Sequence, residues 1–98
     1  MTYHVFTAEL WEHDPGAPGS WHFITLPVEV ADEIEVESGP REGFGSVRVE
    51  VRVGRSTWET SLFPDAKAGS FVLPVKKQVL MAEGIEAGDS CDVTLRLT

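Results

Sequence analysis

Apolar and polar residues alternate most strictly at Val47, Val49, Val51 and Val53, with Arg48, Glu50 and Arg52 between them. This pattern predicts a strand over 47–53 with one buried and one wet face. Gly54-Arg55 follows as a Gly-first two-residue turn suited to a tight hairpin. That turn sets the register. Val53 faces Ser56, Val51 meets Trp58, Val49 meets Thr60 and Val47 meets Leu62 on the core side, while Glu50 lands opposite Glu59 outside. Arg48 and Arg52 stand diagonally from Glu59 and are expected to offset that like-charge contact.

The remaining chain divides by the same signals. Residues 3–13 are rich in aromatic and β-forming side chains and stop at Asp14-Pro15-Gly16, and 21–26 (Trp-His-Phe-Ile-Thr-Leu) resume the extended pattern after the loop 14–20, so the two are expected to pair as a hairpin. From Pro27 the spacing changes to three and four residues at Val30, Ala31 and Ile34, with Glu29, Asp32 and Glu33 opposite. This predicts an amphipathic helix near 27–37, started by proline and ended before Gly39-Pro40. After a loop at 64–69, Phe71–Val75 predicts another strand, 76–83 a second short helix with Gly84 as its stop, and Cys91, Val93, Leu95 and Leu97 a terminal strand after the Gly88-Asp89 turn.

The two halves echo each other. Phe23-Ile24-Thr25-Leu26-Pro27-Val28 before the first helix parallels Phe71-Val72-Leu73-Pro74-Val75 before the second, so 3–53 and 56–98 each read strand, strand, helix, strand. Six strands of this kind remove their edges by closing into a small, mainly β barrel. The pseudo-two-fold ββαβ arrangement resembles the double-psi class of six-stranded barrels, whose glycine-aspartate turn is similar to Gly88-Asp89. An open sandwich of the same strands is the alternative.

With 98 residues the chain is read as one domain, 1–98, large enough for a single core without disulfides. No apolar run approaches the ~20 residues needed to span a bilayer, and Met-Thr-Tyr-His lacks the features of a leader, so no membrane association is expected. The single cysteine, Cys91, belongs to no metal-binding spacing, and a reducing cytoplasmic location is the default expectation. Eight Lys+Arg against 16 Asp+Glu leave a net charge of −8, which disfavours nucleic acid as a partner. The acidic run Glu29, Asp32, Glu33, Glu35 and Glu37 reads as a solvated helix face before it reads as a cation site.

Several segments together carry a family resemblance. Leu10-Trp11, the Gly/Pro loop, Trp21–Pro27, Gly43-Phe44-Gly45-Ser46-Val47-Arg48-Val49, Trp58–Pro64, Leu73-Pro74-Val75-Lys76-Lys77, Ala82-Glu83-Gly84-Ile85 and Gly88-Asp89 make the chain similar, over nearly its whole length, to a small bacterial family of unknown function numbered nineteen-oh-five. The resemblance implies a small β-barrel-like domain, sometimes fused to a second domain in YdeI-like, OmpD-associated proteins, and implies no reaction. One departure is visible. The segment 77–82 carries Leu80 and Met81 where family members often carry basic residues, which weakens an anion-binding role for that helix.

Candidate chemistry is sparse. His13 and His22 flank the first hairpin loop and, with Glu12 or Asp14, have the residue types of a divalent-ion site, although rim histidines are the ordinary reading. Trp11, Trp21 and Trp58, with Phe23, Phe44 and Phe71, suit either a barrel mouth for a planar ligand or plain core packing, and core packing is the stronger reading. Ser61 beside Thr60, with Lys76 and Lys77, has the groups for an amine-activated hydroxyl or a small anion site, yet neither Gly-x-Ser-x-Gly nor Ser-x-x-Lys occurs. Aspartic-protease and phosphate-loop motifs are also missing, and Gly19-Ser20, Gly45-Ser46 and Gly69-Ser70 read as turn-to-strand chemistry rather than cleavage sites.

The expectation is therefore a noncatalytic binding domain with no cofactor, meeting a protein partner, a second copy or a small ligand at a barrel rim near Trp58, Ser61, Lys76 and Lys77. The enzyme alternative uses metal at His13 and His22, or Ser61 with Lys76. An AbrB-like nucleic-acid regulator ranks last, since it needs a basic face.

Overall fold

The structure, a computed structural model, describes residues 2–39 and 45–98. Its elements follow in the order β1 (His4–His13), β2 (Trp21–Thr25), α1 (Val28–Ser38), β3 (Val47–Val53), β4 (Ser56–Asp65), β5 (Ser70–Val75), α2 (Lys77–Glu83) and β6 (Ser90–Leu97). The strands close into a barrel in the order β1-β2-β5-β4-β3-β6, with every neighbouring pair antiparallel. Exchanging β1 with β4, β2 with β5 and β3 with β6 leaves this set of neighbours unchanged, so the repeat seen in the sequence is a pseudo-two-fold of the fold. Closure gives every strand two neighbours and leaves no unpaired sheet edge.

Two strands make the corners. β1 pairs through His4–Glu9 with β6 and through Leu10–His13 with β2, while β4 pairs through Ser56–Leu62 with β3 and through Phe63–Asp65 with β5. This change of partner explains why β4 runs on past Pro64, where the sequence pattern predicts a loop. Pro64 stands opposite Phe71, and the turn begins only after Asp65, whose Oδ1 accepts the Lys67 and Ala68 amides at 3.1 and 3.4 Å. The β3–β4 register is as expected at every position from Val47↔Leu62 to Val53↔Ser56. Arg48 and Arg52 stand diagonally from Glu59 in this register, and Glu50 gains a further partner that the sequence did not point to. Arg96 on β6, the other neighbour of β3, reaches Glu50 through Nε at 3.1 Å and Nη2 at 3.3 Å.

Inward side chains form one core. Leu10, Ile24, Val49, Val51, Leu62, Leu73 and Val93 have no exposed surface, and burying each such side chain contributes about 1.5–3 kcal/mol. Helices stop the two ends. α1 follows β2 and drives Ala31 and Ile34 into one end, and α2 follows β5 and inserts Val79 at the other. Gly84 terminates α2 in the left-handed conformation, its N–H on the Leu80 carbonyl. The Gly88-Asp89 turn docks on β1, with the Gly88 N–H on the Leu10 carbonyl at 2.8 Å and the Leu10 N–H on the Asp89 carbonyl at 2.9 Å. Pro40 and Phe44 lie outside the described residues.

Candidate functional site

Strand alternation sorts the first hairpin into two faces. Leu10↔Ile24 is wholly buried, so Glu12↔His22 shares the inward face one step further along, and Trp11↔Phe23 and His13↔Trp21 lie on the outward face. His13 and His22 consequently point to opposite sides of the sheet. The hairpin does not bring them together, and among the described residues no group of three or more His, Cys, Asp and Glu is arranged to hold a metal ion.

His22 instead keeps the company of Glu12 and Ser20 at the α2 end of the barrel. The Ser20 hydroxyl donates to Glu12 Oε2 at 2.6 Å, and His22 Nε2 lies 4.0 Å from the same oxygen. Here the carboxylate is the hub and the hydroxyl already donates to it. A nucleophile would need the imidazole between the two, so this cluster does not activate Ser20.

The proposed rim residues divide in the same way. Trp58 points inward opposite Val51 and is 8% exposed, whereas Ser61, opposite Arg48, is on the outer face of the β3–β4 ladder. Lys76 and Lys77 are exposed at the start of α2, with Lys76 its cap residue. Trp58 and Lys76 share a slot of ≈ 310 Å³ where β4 and β5 diverge beyond the Phe63↔Val72 pair. Ser61 does not line that slot.

Trp21, which the sequence offers for a barrel mouth but reads first as core, is 63% exposed and stacks over Phe23, with ring centroids 6.3 Å apart and planes 13° apart. Phe23 also touches Trp11 at 5.1 Å, and the Trp11 indole N–H donates to Thr25 Oγ1 at 2.9 Å. Phe71 and Trp58 are core, as expected of aromatics in a small domain. Trp11, Trp21 and Phe23 are not, because the register turns them outward, where Phe63, Val72 and Pro74 extend the same face across β5 and β4.

Trp21 lies where three hollows meet. One, of ≈ 420 Å³, is the aromatic outer face itself; the second is the slot beside Trp58; the third, of ≈ 570 Å³, runs between the 14–20 loop and α2. The third has an apolar floor of Val75, Leu80 and Ile85, with Lys76, Lys77 and His22 around it. Gly19 and Gly16 in the adjoining loop have φ of +74° and +84°, conformations that let the chain turn back over the barrel mouth.

Two ionisable groups nearby have displaced titrations. The Ser56 hydroxyl and the Arg55 amide hydrogen-bond the Glu83 carboxyl and hold it below its usual range, tying α2 to the β3–β4 hairpin. Burial, with Asp89 and Asp92 adding repulsion, pushes the Cys91 thiol up, which suits an inert core cysteine.

No helix among the described residues is long and apolar enough to cross a membrane. No curated protein matches the chain. The resemblance noted in the sequence is shown by comparison of families: residues 6–95 match the model described as Domain of unknown function (DUF1905), and the chain belongs to that family.

Proposed function

We propose that this barrel is a noncatalytic binding module that takes a small ligand at the rim centred on Trp21. The observation that carries the reading is the exposed indole, held flat by Phe23 at the junction of three hollows. A large aromatic left in water beside concave apolar surface is the usual mark of a contact site, because covering it releases much unfavourable hydration at little cost in side-chain entropy. The aromatic framework beneath is already ordered by the Trp11–Thr25 hydrogen bond, so the surface needs no rearrangement to bind.

A fragment screen followed by amide and indole NMR shifts tests this reading. Ligands are expected to move the Trp21 indole signal, and Trp21→Ala is expected to weaken them by at least about tenfold while leaving stability within about 0.5 kcal/mol, as for an exposed side chain. Hits that ignore Trp21, or no hits at all, would overturn it. Light scattering supplies the competing outcome: a mass that doubles with concentration and reverts in Trp21→Ala would replace the ligand by a second copy of the chain.

A further inference from the structure

We infer that the groove between the 14–20 loop and α2 selects a small amphipathic carboxylate, an apolar or planar body bearing one negative group; this rests on the rim reading above. The groove joins three features that sequence distance keeps apart. Its ≈ 570 Å³ lies within the roughly 300–1,000 Å³ range of small-molecule sites, which favours a small ligand over a folded partner. Its floor is apolar, from Val75, Leu80 and Ile85, and Trp21 supplies an aromatic wall. Its charged lining is of one sign, since Lys76 and Lys77 border it and no acidic residue does.

Leu80 and Met81, which weaken a purely anion-binding role for α2, supply apolar lining here, so the negative group falls to the two lysines alone, and these are uncommitted. Among the described residues neither has a carboxylate within ion-pair distance, although the chain carries 16 acidic residues. Glu59 borders the adjoining slot with Lys76 but forms no ion pair with it, and Glu12, beside His22, accepts the Ser20 hydroxyl at 2.6 Å. An unpaired cationic pair beside an apolar hollow, in a protein whose overall field repels anions, is a local complement to a negative head group on a hydrophobic body. A bare phosphate would leave Trp21, Leu80 and Ile85 uncovered, and a neutral hydrocarbon would leave both ammonium groups unused. His22, with Nε2 4.0 Å from Glu12 Oε2, also borders the groove.

Titration with 2-naphthoate and with neutral 2-naphthamide, followed by ¹⁵N NMR, tests the assignment. Both are expected to shift the Trp21 indole and the α2 amides, with the carboxylate tighter by about fivefold, as two exposed ion pairs supply. Lys76→Ala with Lys77→Ala is expected to remove that difference and leave the amide unchanged, and added salt is expected to narrow it. Equal affinity for the two probes, unaffected by the lysine changes, would overturn the charge selection while leaving the rim reading intact. Shifts that map elsewhere, or none at millimolar probe while neutral fragments still move Trp21, would overturn the groove assignment alone; no binding in either experiment would remove both.

Discussion

The two ends of the barrel are related by the pseudo-two-fold, yet they are stoppered by different physics. At one end α1, with 11 residues, buries Ala31 and Ile34 and adds a polar anchor: buried His4 lies 3.0 Å from Glu37 Oε1 and 3.7 Å from Glu33 Oε1. At the other, α2 has 7 residues, buries only Val79 and is tethered through Glu83 to Ser56 and Arg55. A helix that short has little stability of its own. Duplicated topology therefore does not duplicate the surface. A hollow flanks each helix, but the one of ≈ 500 Å³ beside α1 is bordered by Glu37, Ser38, Ser46 and Arg48, whereas the one of ≈ 570 Å³ beside α2 has an apolar floor next to Trp21.

The largest test of that contrast is in the core. Ile34→Ala is expected to cost about 3 kcal/mol and Val79→Ala about 2, because more buried methyl surface is lost in the first and both leave cavities. Urea unfolding measures both, and equal or reversed losses would show that the two plugs bear equally on the fold. Hydrogen exchange on the wild-type protein sharpens the point, since the α2 amides are expected to exchange faster than those of α1.

A smaller effect is expected at Gly54, whose φ of +59° lies in the left-handed region and whose added Cβ would sit 1.9 Å from Glu83 Oε1. Gly54→Ala is expected to cost about 1–2 kcal/mol from backbone strain, and the Glu83 side chain must move away from the hairpin to make room. Thermal unfolding reads the loss. Combination with Glu83→Gln checks the mechanism, because the two changes are then expected to be less than additive.

The smallest effect is the pH dependence of the Glu83 tether. A carboxyl held below its usual range in the folded state contributes stability above its unfolded-state value and loses it as pH falls through the folded value. The stability difference between the wild type and Glu83→Gln is thus expected to be constant near neutrality and to shrink on acidification through and below the ordinary carboxylate range. A difference that grows on acidification would show that the tether is not ionic.

Much of the fold was legible because its signals are local. The valine alternation with Gly54-Arg55 specified a hairpin register to the residue, and the three-and-four spacing at Val30, Ala31 and Ile34 located α1 within one residue at each end. The misses share one cause, a neighbour distant in the chain. Relief of Glu50 by Arg96 needed the β3–β6 pairing across 46 positions, and the extension of β4 beyond Pro64 needed its change of partner to β5. His4, unremarkable in sequence, is buried against α1 by a contact 33 positions away.

The candidate site was legible only in pieces. Lys76, Lys77 and Trp58 were singled out for their residue types, and the fold places Trp58 and Lys76 at one slot while sending Ser61 to the opposite face. Trp21 was named as a barrel-mouth aromatic, and its outward placement follows from the hairpin, since the odd-numbered set of Trp11, His13, Trp21, Phe23 and Thr25 must share the face opposite Leu10 and Ile24.

By itself the amino-acid order determined the strands, the helices and the repeat, because periodicity, proline and glycine act over a few residues and need no distant partner. Tertiary structure alone decided which aromatics are core and which face water, which ionisable groups meet, and where a hollow is left. Those outcomes depend on closing the barrel, which brings β1 against β6 and sets α2 against the loop before Trp21.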